Sequence, residues 1–252
     1  MLAKPYLQVA AVAGLTGVLV LAQPLAPSPT SPATLTTQQV VQNMVAMRLA
    51  RRQALRAFTA VRSYQVSYSG LGHKSAAMTV RVAFRQPGPK RFIVISESGS
   101  RLLRQHVRQP LLATERRDAV ASTSDGNAIV PKSYRFTLIS SPQDNPMGVY
   151  VLRAVPRFRS KRFLFRGQIW LNPNDFGIER IEGKLPHAPS FWVTHPTFVY
   201  LAQKIGDFWL PATNRTHAHI RLFGEAELEI RYHDFHLTSN APVYCRDSGV
   251  MQ

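Results

Sequence analysis

Residues 163–183 read FLFRGQIWLNPNDFGIERIEG, and this stretch decides the fold class. Its flanks, 163–171 and 178–183, are short and rich in aromatic and β-branched residues, the composition of strands. Between them, Asn172-Pro173-Asn174-Asp175 offers side chains that bond their own backbone and a proline that fixes φ, which is turn chemistry. Two strands joined by so short a turn form a hairpin and pair antiparallel.

The same pattern extends toward the C-terminus. Strands at 197–205 and 209–213 flank Gly206-Asp207, and strands at 217–222 and 225–234 flank Phe223-Gly224. In the last strand Ala226, Leu228, Ile230 and Tyr232 alternate with Glu225, Glu227, Glu229 and Arg231, so one face is wet. Toward the N-terminus, Tyr64, Val66 and Tyr68, then Met78, Val80, Val82 and Phe84, alternate with polar residues, and 92–97 predicts a third strand. Tyr134, Phe136 and Leu138 alternate likewise, followed by a strand at 149–155. Helical spacing occurs twice. Thr36 and Gln39 have capping-box spacing ahead of Val40, Val41, Met44, Val45 and Leu49, which predicts a helix over 37–60 whose Arg48, Arg51, Arg52 and Arg56 form a solvated face. Leu102, Leu103, Val107, Leu111 and Leu112 predict a helical insertion at 101–118, kinked or split at Pro110. Runs of strands without regular strand–helix alternation exclude a parallel α/β fold. The expected class is mainly β with helices (α+β), an antiparallel half-barrel of roughly nine to eleven strands with the N-terminal helix and the insertion across its open side.

Residues 1–22 place Lys4 before a long apolar run ending at Ala22, the pattern of a secretory signal peptide cleaved after Ala22. The alternative is an uncleaved anchor, since the run approaches the ~20 residues that span a bilayer. A Pro-rich linker (23–35), one domain (36–240) and a short tail (241–252) follow. The only cysteine, Cys245, excludes an internal disulfide, and no cysteine follows the apolar run to carry a lipid. The formal charge of +17 favours polyanions, which for an exported chain are anionic envelope lipids and acidic glycans rather than nucleic acid.

Little in the sequence supports catalysis. No Gly-x-Ser-x-Gly elbow or phosphate-cradling glycine loop is present. Glu179 and Glu182 are three apart on a strand and face opposite ways, and so would His233 and His236 on a regular strand. His217 and His219 share a face, but two ligands do not make a metal site. The chain is expected to be no enzyme and to carry no metal or cofactor.

Five stretches carry a resemblance: Gly99-Ser100-Arg101-Leu102-Leu103, Phe165-Arg166-Gly167-Gln168-Ile169-Trp170-Leu171, Arg180-Ile181-Glu182-Gly183, Pro189-Ser190-Phe191-Trp192 and Gly206-Asp207-Phe208-Trp209-Leu210-Pro211. Together they resemble the bacterial outer-membrane lipoprotein-sorting protein family of the LolA/LolB-like group, over residues 48–235. The resemblance implies a half-barrel whose inner surface holds acyl chains, and a periplasmic carrier that takes lipidated cargo from the inner membrane and passes it on; the chain is expected to be a monomer with a protein partner at the inner or outer membrane. The lipidated cysteine of LolB receptors is absent. A non-enzymatic periplasmic sensor or envelope-assembly factor that binds a protein is the alternative within the same fold. Candidate lining residues for an apolar ligand are Phe92, Val94, Phe136, Leu138 and Trp170, then Phe191, Trp192, Phe208 and Trp209, with Leu103 and Val107 from the insertion. Ordinary core packing against the N-terminal helix is the competing assignment for each.

Overall fold

The computed structural model describes residues 35–70, 72–101, 129–158, 164–185, 193–221 and 224–240, all within the second of two compact units, Thr34–Gln252. The expected signal peptide, residues 23–34 of the expected linker, the expected insertion beyond Arg101 and the tail lie outside the described residues. So do Leu103, Val107, Phe191 and Trp192.

Helix α1 (Thr37–Ala54) starts where the capping box places it. The Thr36 hydroxyl accepts from the Gln39 N–H at 3.3 Å and Gln39 Oε1 accepts from the Thr36 N–H at 2.9 Å. It ends at Ala54, six residues short of the expected stop. Leu55 pairs with Ser239, and from Ala57 the chain is paired on two sides, with Phe58 opposite Leu237 on one strand and Phe84 on the other; that pairing overrides the helical propensity of Leu55, Arg56 and Ala57.

The strands are β1 (Leu55–Gly70), β2 (Gly72–Arg85), β3 (Arg91–Gly99), β4 (Tyr134–Ser140), β5 (Tyr150–Pro156), β6 (Arg166–Leu171), β7 (Ile178–Lys184), β8 (Val193–Ile205), β9 (Phe208–Ile220) and β10 (Glu225–Ser239). They form one open antiparallel sheet in the order β3-β2-β1-β10-β9-β8-β7-β6-β5-β4. This is the half-barrel with an N-terminal helix, and its two edge strands, β3 and β4, are consecutive in the chain. The two strands expected at 209–213 and 217–222 are one, because Asn214, Arg215 and Thr216 pair with β8 on one side and β10 on the other. The last strand also runs past Asp234. A bulge there (Asp234 φ 54°) inserts one residue between His233 and His236, which changes the parity and puts both histidines on the exposed face.

Register aligns the inner face into rows. One row crosses nine strands as Leu138, Leu152, Ile169, Ile181, Tyr200, Asn214, Ile230, Tyr64 and Met78. Under α1, the row packs against Val40, Val41 and Met44, and Leu152 and Ile169 are fully buried. Each such side chain contributes about 1.5–3 kcal/mol. Gly183 makes room there: a Cβ would lie 2.8 Å from the Phe165 ring, which meets Phe198 edge-on at 5.4 Å. The outer face is paired rather than merely wet. Arg215 bridges Glu227 and Glu229 at 3.0 Å, Arg231 reaches Glu229, and His217 and His219 both reach Glu225.

Candidate ligand cavity

The hairpin that decided the fold also builds the site. Its turn is held by the Asn172 N–H donating to the Gly177 carbonyl at 2.9 Å and by the Asn174 N–H donating to Asn172 Oδ1 at 3.0 Å. The turn aims Asp175 inward. There Lys204 pairs with its carboxylate at 2.8 Å and Arg51 at 3.1 Å, while the Trp209 indole N–H donates to both oxygens at 3.0 Å. Gly177 is required beside this contact, because a Cβ would lie 1.9 Å from the indole nitrogen.

Arg51 ties the end of α1 to two turns. Its Nε donates to the Asp207 carbonyl at 3.0 Å and its Nη2 to the Asp175 carbonyl at 2.9 Å. Burial alone would raise the Asp175 pKa, but Lys204, the Trp209 and Gly177 N–H groups and the Arg51 charge together outweigh it and hold the carboxyl below its ordinary value. Only 8% of the Arg51 side chain is exposed, and its Nη1 is buried with no hydrogen-bond partner.

Beside this cluster lies a cavity of about 420 Å³ between the last turn of α1 and strands β7, β8 and β9. Its apolar wall is Leu55, Ile129, Ile178, Ile181, Phe208 and Leu210; Tyr200 and Trp209 add rings with polar tips, and Arg48, Arg51 and Arg52 supply the charged side. The volume lies in the range of small-molecule pockets, ~300–1,000 Å³. Burial, with the neighbouring Arg52 charge, outweighs the opposing influence of Tyr200 and Tyr134 and lowers the Arg48 pKa, and Arg48 Nη1 donates to the Ile129 carbonyl at 3.2 Å. Burial pushes the Tyr200 hydroxyl well above the ordinary tyrosine range, so it stays neutral. A larger hollow of about 610 Å³ follows the ends of β1, β2 and β10 around Pro87-Gly88-Pro89. It is walled by adjacent strands and a turn, with the register partners Phe58 and Phe84 side by side at 5.5 Å, whereas the cavity under α1 is enclosed by a helix and several strands and is the candidate site.

Of the expected lining residues, the structure brings Phe208 and Trp209 to this cavity. Phe136 and Leu138 pack into the core beneath α1, and Phe92 and Val94 into a second cluster around Tyr64 and Val80. Trp170 lies on the opposite face, under the Arg180 guanidinium at 5.4 Å, because its neighbours Ile169 and Leu171 are the fully buried pair. The sequence reading missed Leu55, Ile178, Ile181, Tyr200 and Leu210, and it placed Arg48 and Arg51 on a solvated face. Arg51 is instead buried and Arg48 half-buried. The signal was present: Arg48 and Arg51 follow Met44 by four and seven residues, the spacing of the buried stripe, whereas Leu49, assigned to that stripe, is 53% exposed.

Among the described residues no group of histidine, cysteine and carboxylate side chains is arranged to hold a metal ion, and no helix is long and apolar enough to cross a membrane. No family model and no curated protein matches the sequence. Similar solved structures include a DUF1329 family protein from Desulfovibrio piger (10% identity, 86% of this chain and 96% of that one, TM-score 0.40). A LolA superfamily protein from Nitrosomonas europaea matches at 12% identity over 84% of this chain and 99% of its own, TM-score 0.36. An outer membrane lipoprotein-sorting protein domain from Vibrio parahaemolyticus, described as putative, matches at 12% identity over 84% and 95%, TM-score 0.38. The structure itself shows an open antiparallel sheet with α1 packed on one face, a half-barrel with an N-terminal helix.

Proposed function

We propose that this chain is an exported periplasmic carrier that holds the acyl chains of a lipid or lipoprotein in the cavity beneath the end of α1. The observation that carries this reading is the cavity's composition: aliphatic and aromatic walls from four strands, with the charged groups supplied by α1. Each methylene moved from water into it contributes about 0.8 kcal/mol before ordering costs. The chain works as a non-lipidated monomer without catalytic chemistry or nucleic acid, and it delivers its cargo through a protein partner at the inner or outer membrane. Its basic surface favours anionic envelope lipids.

Native mass spectrometry of protein purified from the periplasm of its own host tests the reading, with N-terminal sequencing of the same sample. Bound lipid on a mature chain beginning at Gln23 is the expected result. Uptake of a fluorescent fatty acid should fall in an Ile181→Trp variant, which fills the cavity. Repeated absence of lipid, no fatty-acid uptake, and a stable protein partner would overturn the carrier in favour of a sensor or assembly factor.

A further inference from the structure

We infer that the cavity ends in an anion seat made by Arg48, Arg51 and Arg52, so the amphiphile it takes carries a carboxylate or phosphate group beside its apolar tail. The inference rests on the carrier reading and narrows its ligand class.

The charges around the cavity do not balance. Three guanidinium groups line it, and Lys204 stands just outside, pairing with the same carboxylate as Arg51. That carboxylate, Asp175, is the acidic group these two share; no acidic side chain lines the cavity among the described residues. Arg48 gives one Nη1 bond to the Ile129 carbonyl, a neutral acceptor. Arg51 uses Nε and Nη2 on the Asp207 and Asp175 groups, which leaves Nη1 buried and unpartnered. A buried cation short of a hydrogen-bond partner is costly, and a ligand anion seated among the three guanidinium groups offsets that cost through its charge. The helix geometry supports the arrangement, since Arg48, Arg51 and Arg52 lie at i, i+3 and i+4 and project from one turn. Like charges so placed repel each other unless an anion lies among them. The favourable effect of cations at a helix C-terminus accounts for Arg51 or Arg52 at the last turn, but not for a buried nitrogen beside an apolar hollow. Neutral and cationic amphiphiles gain nothing from the site, whereas a planar carboxylate or a phosphate matches the guanidinium fork.

Titration of the full mature chain with hexadecanoic acid, hexadecyl phosphate and hexadecanol, read by intrinsic tryptophan fluorescence through Trp209, tests the seat. The two anions should bind roughly tenfold or more tightly than the alcohol, and the ratio of the anions to each other tells carboxylate from phosphate. Arg48→Gln should narrow the gap between anion and alcohol, and Arg48→Lys should restore part of it. Because Arg52 lies exposed at the rim, Arg52→Gln supplies a second variant if the first is poorly folded. Equal binding of all three ligands would sink the anion seat and leave the acyl-chain cavity standing. No binding of any of them would overturn both.

Discussion

The inner face of the sheet carries two apolar clusters, and they are packed by different means. Across β4 to β8 the face lies under α1, and Val40, Val41 and Met44 complete a core around Leu152, Leu164, Ile169 and Leu171. Across β10, β1, β2 and β3 the cluster is Tyr64, Met78, Val80, Val82 and Ile230, and in its midst sits Arg62, only 5% exposed, with its guanidinium 4.9 Å from the Tyr232 ring and 5.8 Å from Phe92. In the first half the buried cation, Arg51, stands at the end of α1 beside the apolar core and pairs with a carboxylate, while in the second Arg62 lies over aromatic faces within the cluster. The cavity belongs to the helix-covered half, and it exists because α1 stops at Ala54. Had the helix continued to residue 60, Leu55 would not have entered β1 and the arginines would not border an open volume.

The largest expected effect lies where α1 meets the hairpin turn. Asp175→Ala removes the carboxylate that both Arg51 and Lys204 use, and should cost about 3–5 kcal/mol in urea unfolding because a buried cation loses its partner. Next, Leu152→Ala in the helix-covered half should cost about 2–5 kcal/mol. Val80→Ala in the other half should cost about 2 kcal/mol, and the double variant should be additive to within ~0.5 kcal/mol, since the two side chains belong to separate clusters. Strong coupling between them would show that the halves are one packing unit. The pH dependence sharpens the contrast further. The Asp175 carboxyl is held below its ordinary value of 3.8, so its stabilisation is complete above that pH and is lost as pH falls through the lower folded-state value. Asp175→Asn should make the acid limb of a stability–pH curve shallower without removing it, because Asp144 and Glu229 are also held low, by the Ser141 hydroxyl and N–H groups and by Arg231 with Arg215. The smallest effect is expected at the other end of α1. Thr36→Ala should cost about 1 kcal/mol, from loss of the capping box.

Much of this fold was legible because period-two alternation and turn chemistry are local. The hairpin around Asn172-Pro173-Asn174-Asp175, the capping box at Thr36 and the Gly206 turn, with its positive φ of 57°, needed no tertiary information. Three features needed it. The end of α1 depends on β1 pairing with strands far away in sequence, the unity of β9 depends on partners on both sides, and the relation of His233 to His236 depends on a bulge. The site was less legible than the fold. Aromatic content pointed to Trp170 as readily as to Trp209, although strand parity against Ile169 and Leu171 separates them. Arginine was read as a solvent-facing residue, so the buried Arg51 was missed despite its helical spacing from Met44.

The strand order has a consequence for how the protein comes to exist. β1 pairs with β10, so Ser63 bonds a histidine 170 residues further along the chain. Until that last strand arrives, β1 keeps one edge unpaired, and pairing of such high contact order is slow. An N-terminal fragment ending before β10 would expose this template to aggregation. A chain made from its N-terminus therefore reaches its native topology only when synthesis is essentially complete.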